Sequence, residues 1–197
     1  GPGPLIAAIN NVIKVRDAGM PKWRQAMYVD HYLAECVLVG GARRAARMST
    51  KHWTDKTVLD FISVKRGGFL WSSNNSVTVD QSFWDNVRDY IELPKKGLAV
   101  NDTMDWAFQV FREITEAAYN DGTGEPGFIN QDKLVTNDDG LQAYLDSGEF
   151  VGSKKYQLEE KTKNLTRNLA RVVSQKQYKQ IVNPCAEITL LMLGGYC

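Results

Sequence analysis

The residues whose types and spacing could do chemistry lie near the end of the sequence, in the run Asn183-Pro184-Cys185-Ala186-Glu187. In an extended segment successive side chains point to opposite faces, so Asn183, Cys185 and Glu187 would share one face. A carboxylate close to a thiol disfavours the thiolate by charge repulsion. A protonated thiol beside a general base suits hydrogen-atom transfer better than nucleophilic attack, which uses a basic partner. The run also fits a buried cysteine at the end of an ordinary strand.

Apolar residues at helical spacing predict two helices in the first part of the chain, from Leu5 to Ile13 and from Trp23 to Val37. Gly19 to Pro21 separates them. The β-branched run from Cys36 to Val39 predicts a strand that ends at a glycine pair, with Met48 to Thr50 as its resumption.

The middle of the chain alternates between helical and extended patterns, which predicts an α/β architecture with a largely parallel sheet. The predicted helices are Lys56 to Val64, Phe83 to Tyr90 and Met104 to Tyr119, the last with Asp102 or Thr103 as its N-cap, and the predicted strand is Asn75 to Val79.

The final third begins with a glycine-rich turn, GTGEPG, which leads into Phe128-Ile129. Residues 130–153 are polar and predict a loop, and residues 154–180 predict a surface helix. No repeat or linker is apparent, so residues 1–197 are predicted to form a single domain piece.

Composition limits the classes of function. The net charge is +1, from 24 basic and 23 acidic residues, so no basic field is present to hold a nucleic-acid backbone. No apolar run approaches the roughly 20 residues of a membrane span, and the start lacks the order of a signal peptide. We therefore expect a cytoplasmic protein that binds neither membrane nor nucleic acid directly.

The three cysteines, Cys36, Cys185 and Cys197, are too few and too unevenly spaced for a disulfide scaffold. His31 and His52 are remote from them in sequence, so no zinc-ligand spacing appears and no metal site is predicted.

Four runs resemble, in the same order, the catalytic subunit of ribonucleotide reductase, and most closely its adenosylcobalamin-dependent, monomeric class II form. They are GGARRA at 40–45, SNNSV at 73–77, GEPGFIN at 124–130 and NPCAE at 183–187. The resemblance covers most of the chain. It implies a central fragment of a ten-stranded α/β barrel with the catalytic cysteine on an inner loop.

By motif position, the resemblance implies that Cys185 becomes a thiyl radical that takes a hydrogen atom from C3′ of the substrate ribose. Asn183 and Glu187 would bind the ribose hydroxyls, with Glu187 accepting the 3′-hydroxyl proton as water leaves C2′. Cys197 matches one of two cysteines that reduce the product radical and close a disulfide, and the family's other cysteine lies upstream of Gly1. Cys36 has no matching motif and is expected in the core.

The loop of Gly41, Arg43, Arg44 and Ala45 resembles the family's loop through which an effector nucleotide at one site adjusts substrate choice at another. Arg44 is the stronger expectation for a ligand contact. Without the resemblance, the two arginines fit a solvated surface turn. The SNNSV run and Glu125-Pro126-Gly127 are expected to be structural, as a strand start and a turn.

The resemblance implies adenosylcobalamin as cofactor, a ribonucleotide substrate, a deoxynucleotide effector and a thioredoxin-like reductant. It leaves open whether diphosphates or triphosphates are reduced. Two alternatives also stay open: a class I large subunit with a separate radical-generating subunit, and a nucleotide-binding or assembly segment that is inactive alone. Residues 1–197 by themselves are expected to lack turnover and to need flanking parts of the same enzyme.

Overall fold

Helices and strands alternate along the described part of the chain, which in this computed structural model comprises residues 2–38, 45–132, 180–183 and 189–191. The chain divides into two compact units, Gly1–Ile129 and Asn130–Cys197. In chain order the elements are α1 (Gly3–Asp17), α2 (Lys22–Leu38), β1 (Arg47–His52), α3 (Val58–Ile62), β2 (Ser73–Val79), α4 (Gln81–Glu92), a 3-10 turn (Pro94–Lys96), α5 (Asp102–Asn120), β3 (Gly127–Asn130), β4 (Gln180–Val182) and β5 (Thr189–Leu191).

The two predicted N-terminal helices are confirmed, and they pack against each other through small side chains. Ala8 of α1 and Ala34 of α2 are both buried, which lets the two backbones approach closely. The predicted strand from Cys36 to Val39 is wrong, because residues 36–38 form the last turn of α2. Packing of α2 along α1 favours the helix there over the local β propensity of a β-branched run.

A small sheet with the strand order β1-β2-β3 lies at the centre of the first unit. β1 and β2 are parallel, with Arg47 opposite Ser73 and His52 opposite Thr78. Parallel strands need a crossover connection, and α3 lies in it. The predicted α/β architecture is thus confirmed at the level of this sheet, whereas the ten-stranded barrel stays a prediction.

Side chains cap the N-termini of α4 and α5. Asp80 follows β2 and accepts a hydrogen bond from the backbone N–H of Phe83 at the start of α4, at 2.9 Å. Asn101 caps α5 by accepting from the N–H of Met104 at 3.0 Å. The prediction of Asp102 or Thr103 as this cap is wrong by one or two positions, because both already lie within the helix.

The core of the first unit lies between the sheet and helices α3, α4 and α5. Its largest fully buried side chains include Phe61, Phe83 and Ile114, which pack with Val77 and Val79 of β2. Burial of each such side chain contributes about 1.5–3 kcal/mol. None of the helices in the described ranges is both long and apolar enough to cross a membrane.

The second unit is described only in part. β4 and β5 form an antiparallel pair with Val182 opposite Thr189. The predicted loop over 130–153 lies outside the described residues except at its start, as does the predicted helix over 154–180.

Candidate functional site

Asn183 is the member of the predicted catalytic set that the structure describes. It directly follows β4 and is 3% exposed. Because β4 and β5 are antiparallel, the chain reverses direction between Val182 and Thr189. Cys185 and Glu187 belong to this connection but lie outside the described residues, so their shared face with Asn183 stays a prediction.

The other predicted site residues lie almost entirely outside the described part. Cys197, Gly41, Arg43 and Arg44 are all in this group. Ala45 is described: it is half-buried and lies two positions before β1 begins. The predicted substrate and effector loop therefore leads directly into the central sheet of the first unit.

Cys36 is described, and the contacts of its thiol within the described residues are with backbone carbonyl oxygens. It is half-buried, and its Sγ lies 3.4 Å from the carbonyl oxygen of Pro4 and 3.5 Å from that of Tyr32. The contact with Pro4 connects α2 to α1, whereas Tyr32 lies one turn earlier in α2 itself, so the thiol contributes one contact to the packing of the two helices. The sequence predicts Cys36 in the core, whereas the structure places it half-buried, in contact with α1.

The SNNSV run begins β2, so its prediction as a strand start is confirmed. Its polar side chains are paired inside the sheet: Ser73 Oγ lies 3.0 Å from Ser49 Oγ of β1 and donates to Asn75 Oδ1 at 3.0 Å. Asn75 is 2% exposed. The hydroxyl chain therefore fixes the orientation of a buried carboxamide.

Lys65 joins two distant turns of the first unit. Its Nζ donates to the backbone oxygen of Ser73 and to Glu125 Oε2, both at 2.5 Å. Glu125 belongs to the predicted GEPG turn, which precedes β3 as expected. The ion pair thus holds this turn against the segment that leads into β2.

A cavity of about 650 Å³ lies beside this ion pair, within the first unit. Its walls are the turn after α3, with Arg66 and Phe69, and the turn after α5, with Asp121 and Thr123. Asn75 and Trp71 also line it. Sequence reasoning missed this site; its only local signal was a Lys-Arg-Gly-Gly run at 65–68, which is weak without knowledge of what packs against it.

A second polar cluster, which the sequence did not predict, is centred on the buried side chain of His31. His31 Nδ1 lies 2.8 Å from Ser72 Oγ, and its Nε2 lies 3.4 Å from Glu35. Burial lowers the pKa of His31, although the carboxylates of Glu35 and Asp30 oppose that shift. Because His31 and Ser72 are both buried, this set joins α2 to the segment before β2 and presents no nucleophile to solvent.

Comparison with known proteins gives one similarity. Over 141 residues the chain is 32% identical to a protein of Mycobacterium phage D29 named "Putative adenosylcobalamin-dependent ribonucleoside-triphosphate reductase". The match covers 64% of this chain, and the chain spans 19% of the length of that protein. No protein-family model matches the chain. No solved structure matches it. The similarity indicates a distant, partial relationship to ribonucleotide reductases.

Proposed function

We propose that this chain is part of the catalytic subunit of a class II, adenosylcobalamin-dependent ribonucleotide reductase, which converts ribonucleotides to deoxyribonucleotides by thiyl-radical chemistry. The observation that carries the proposal is the 32% identity with the phage protein. The NPCAE run supplies residue types that suit this chemistry. The proposed complete fold is the ten-stranded α/β barrel, with Cys185 on its inner loop.

In the proposed reaction, Cys185 acts as the hydrogen-atom acceptor. Once its Sγ carries the radical, an S–H bond forms while the C3′–H bond of the ribose breaks. The unpaired electron then resides on C3′, next to the carbon that loses its hydroxyl group.

Glu187 and Asn183 act on the same ribose. The Glu187 carboxylate accepts the 3′-hydroxyl proton while water leaves C2′, and positioned general bases typically contribute 10² to 10⁴ in rate. A carboxamide can both donate and accept hydrogen bonds, so Asn183 suits a ribose hydroxyl. Burial of Asn183 at the end of β4 supports a fixed orientation.

Two electrons must enter for each C2′–OH bond that becomes C2′–H. A pair of thiols supplies them with two protons and closes a disulfide while one water is released. Cys197 is proposed as one thiol, with its partner in another part of the enzyme. A thioredoxin-like protein would return the disulfide to the dithiol.

The loop of Gly41, Arg43, Arg44 and Ala45 is proposed to couple a deoxynucleotide effector to the choice of ribonucleotide. Arginine presents a planar fork of donors that matches phosphate oxygens, and the glycine lets backbone approach a ligand closely. The position of Ala45 two residues before β1 supports transmission from this loop into the sheet.

The described residues do not provide a cobalamin ligand. His31 is buried against Ser72 and Glu35, and His52 contacts Thr54 and Asp80. No cluster of three metal-binding side chains occurs within the described ranges. The proposal of adenosylcobalamin therefore depends on the sequence similarity, and it is tested by adding the cofactor.

The experiment uses the full-length protein that contains this chain, incubated anaerobically with a dithiol, each ribonucleoside diphosphate or triphosphate, and adenosylcobalamin. Deoxynucleotide formation is measured by chromatography. We expect formation only with the cofactor. Formation without it, but with a separate metal-containing subunit, would assign class I instead; no formation under either condition would refute the proposed activity.

A further inference from the structure

Strand β1 lies at one end of the sheet in the first unit. The strand order is β1-β2-β3, so β2 occupies one edge of β1, and no described strand lies along the other. Trp53, directly after β1, donates its backbone N–H to the carbonyl oxygen of Thr78 at 3.0 Å. The backbone groups of alternate residues point to the same side of a strand. The residues of β1 at odd positions therefore face β2, whereas the backbone groups of Met48 and Thr50 face the open edge.

A groove of about 460 Å³ lies along this open edge. One wall consists of the four consecutive residues 48–51, and the other is formed mainly by the first turns of α2, with Trp23, Met27 and Asp30. Successive side chains of a strand point to opposite faces. A cavity that touches all four residues is therefore expected at the edge of the strand, not over one face of the sheet. An extended segment in this groove would meet the outward-facing backbone groups of β1.

Two side-chain donors at the start of α2 lack an acceptor. Trp23 Nε1 and Arg24 Nε are shielded from water and have no hydrogen-bond partner within the described residues. The guanidinium carbon of Arg24 lies 5.1 Å from the centre of the Trp23 ring, so the two donors belong to one small region. Buried donors in folded proteins are nearly always paired. These two atoms therefore indicate an acceptor that is supplied by another segment.

The charges in this region indicate which acceptor it is. Arg47 is paired with Asp30 at 2.6 Å, and Lys51 is paired with Asp55 at 3.2 Å. Arg24 has no carboxylate within ion-pair distance in the described part of the chain. Arginine presents a planar fork of donors that matches the two oxygens of a carboxylate. An aspartate or glutamate would satisfy both orphaned donors and compensate this charge.

We propose that a further β-strand of the same full-length protein, from outside residues 1–197, pairs with the open edge of β1 and carries a carboxylate that accepts from Trp23 Nε1 and Arg24 Nε. The length of the related phage protein supports this occupant, because the chain spans 19% of it. Uncovered edge strands promote association between copies, so proteins keep such edges protected. The inference involves no step of the reaction proposed for Cys185.

Hydrogen exchange in the full-length protein tests the strand pairing. We expect the amide hydrogens of Met48 and Thr50 to exchange at least about tenfold more slowly than in an unstructured peptide of the same sequence. The amides of Ser49 and Lys51, which face β2, are the internal control for a folded sheet. If Ser49 and Lys51 were protected while Met48 and Thr50 exchanged less than tenfold more slowly than the peptide, the proposal would be overturned.

Zero-length cross-linking identifies the occupant. In Arg24→Lys the side chain becomes an amine, and a carbodiimide joins an amine to a carboxylate in contact with it. We expect mass spectrometry to find residue 24 joined to an aspartate or glutamate outside residues 1–197, and mixing with isotope-labelled protein to show that both ends belong to one molecule. Arg112→Lys is the positive control, because Arg112 lies 3.8 Å from Glu116 on the same helix.

Three outcomes of the cross-linking would overturn the proposal: a link between two copies, a link to a carboxylate within residues 1–197, or no link at residue 24 when the control reacts. Absence of ribonucleotide reduction would count against the proposed function, but it would change neither the exchange nor the cross-linking result. The two proposals can therefore fail separately.

Trp23→Phe and Arg24→Gln test the carboxylate contact itself. The first keeps an aromatic ring and removes the N–H, and the second removes the charge. We expect each to raise the exchange rates of the Met48 and Thr50 amides at least about fivefold, because weaker docking lets the edge open more often. Exchange of the core residue Val77 should stay as in the parent, which shows that the fold is intact.

The matched control for Arg24→Gln is Arg112→Gln, which removes an exposed arginine on α5 that does not line the groove. We expect it to leave the exchange rates along β1 unchanged. If the edge amides exchanged at the parent's rates in both Trp23→Phe and Arg24→Gln, the carboxylate contact would be refuted.

Discussion

Asn75 and Asn183 are both buried carboxamides in or beside a strand, exposed by 2% and 3%, but their chemical neighbours differ. Asn75, in the first unit, accepts from Ser73 and lies near the ion pair of Lys65. Asn183, in the second unit, stands two positions before a thiol and four before a carboxylate in sequence. Asn75 is thus surrounded by binding groups, and Asn183 belongs to a run with reactive ones.

This difference shows that burial identifies a constrained polar group without saying what it does. The groups around Asn75 form hydrogen bonds and an ion pair within the fold but cannot carry a radical. The groups that follow Asn183 can exchange a hydrogen atom and a proton. Changes near Asn75 should therefore alter stability, and changes at 183–187 should alter turnover.

The largest expected effect is that of Cys185→Ser. A hydroxyl holds its hydrogen more strongly than a thiol, so the variant should lose ribonucleotide reduction entirely in the full-length protein while nucleotide binding is nearly unchanged. Steady-state turnover and nucleotide binding measure the two quantities.

Cys36→Ser is the matched control for that variant. Within the described residues the Cys36 thiol contacts the carbonyl oxygen of Pro4 in α1 and that of Tyr32 in its own helix, so its replacement should leave turnover close to that of the parent. Turnover of Cys185→Ser within tenfold of the parent would contradict the radical assignment. Loss of turnover in Cys36→Ser would instead make Cys36 a candidate redox thiol.

Glu187→Gln is expected to have the second largest effect. It keeps the shape of the side chain but removes the base proposed to accept the 3′-hydroxyl proton, which should lower the rate roughly 10²- to 10⁴-fold with little change in nucleotide affinity. The measurement is the turnover rate as a function of pH. A rate equal to that of the parent across the pH range would remove Glu187 from the mechanism.

Arg44→Ala should have a smaller effect on rate and a larger one on selectivity. Coupling between two ligand sites is typically about 1–3 kcal/mol, or about 5- to 150-fold in affinity. The relative rates of the four ribonucleotides are measured with each deoxynucleotide effector. If the ratios match those of the parent for every effector, the loop does not couple the sites.

Much of the secondary structure was predictable because it follows local patterns. Apolar spacing located α1, α2, α4 and α5, and the SNNSV run located β2. The wrong assignments concern the end of α2 and the cap of α5. In the first case, packing on α1 outweighs the β-branched run; in the second, the cap is Asn101, one or two positions before the predicted Asp102 or Thr103.

The cavity was not predictable because its walls come from remote segments. Lys65 and Glu125 are 60 positions apart, and nothing in either local sequence announces their ion pair. The run at 183–187 is the opposite case, since its proposed chemistry was predicted from residue types at short spacing and stays a prediction. A local motif therefore indicates chemistry, whereas a binding cavity depends on the tertiary fold.

The Asn75→Ala variant tests the comparison between Asn75 and Asn183 by its effect on the stability of the fold. It removes the carboxamide oxygen that accepts from the Ser73 hydroxyl, while Ser49 Oγ remains 3.0 Å from that hydroxyl, so the free energy of unfolding should fall by about 0.5–1.5 kcal/mol, the net contribution of one hydrogen bond. Urea denaturation measures the loss, with Asn86→Ala on α4 as a control that should lose less. At a temperature where the variant is folded, its rate of ribonucleotide reduction should equal that of the parent. If the folded variant lost its activity, the proposed difference between Asn75 and Asn183 would be wrong.

The smallest expected effect is a pH dependence from His31. Burial lowers its pKa in the folded protein, so the unfolded chain binds the proton more readily. The contribution of His31 to stability is therefore complete above its unfolded pKa of about 6.5 and is lost as the pH falls toward the lower folded value. Urea denaturation between pH 5 and 8 should show a flatter profile for His31→Gln than for the parent, and an equally steep profile would contradict this account.

The central claim, that Cys185 removes the hydrogen atom at C3′ of a ribonucleotide, is tested most directly by isotopic substitution at that carbon. The full-length protein with adenosylcobalamin is given a ribonucleotide with deuterium at C3′ or at C5′, and deoxynucleotide formation is followed in a single turnover. The account predicts slower formation with deuterium at C3′, no change with deuterium at C5′, and no product from Cys185→Ser. Deoxynucleotide formed by Cys185→Ser, or none formed by the parent protein, would contradict it.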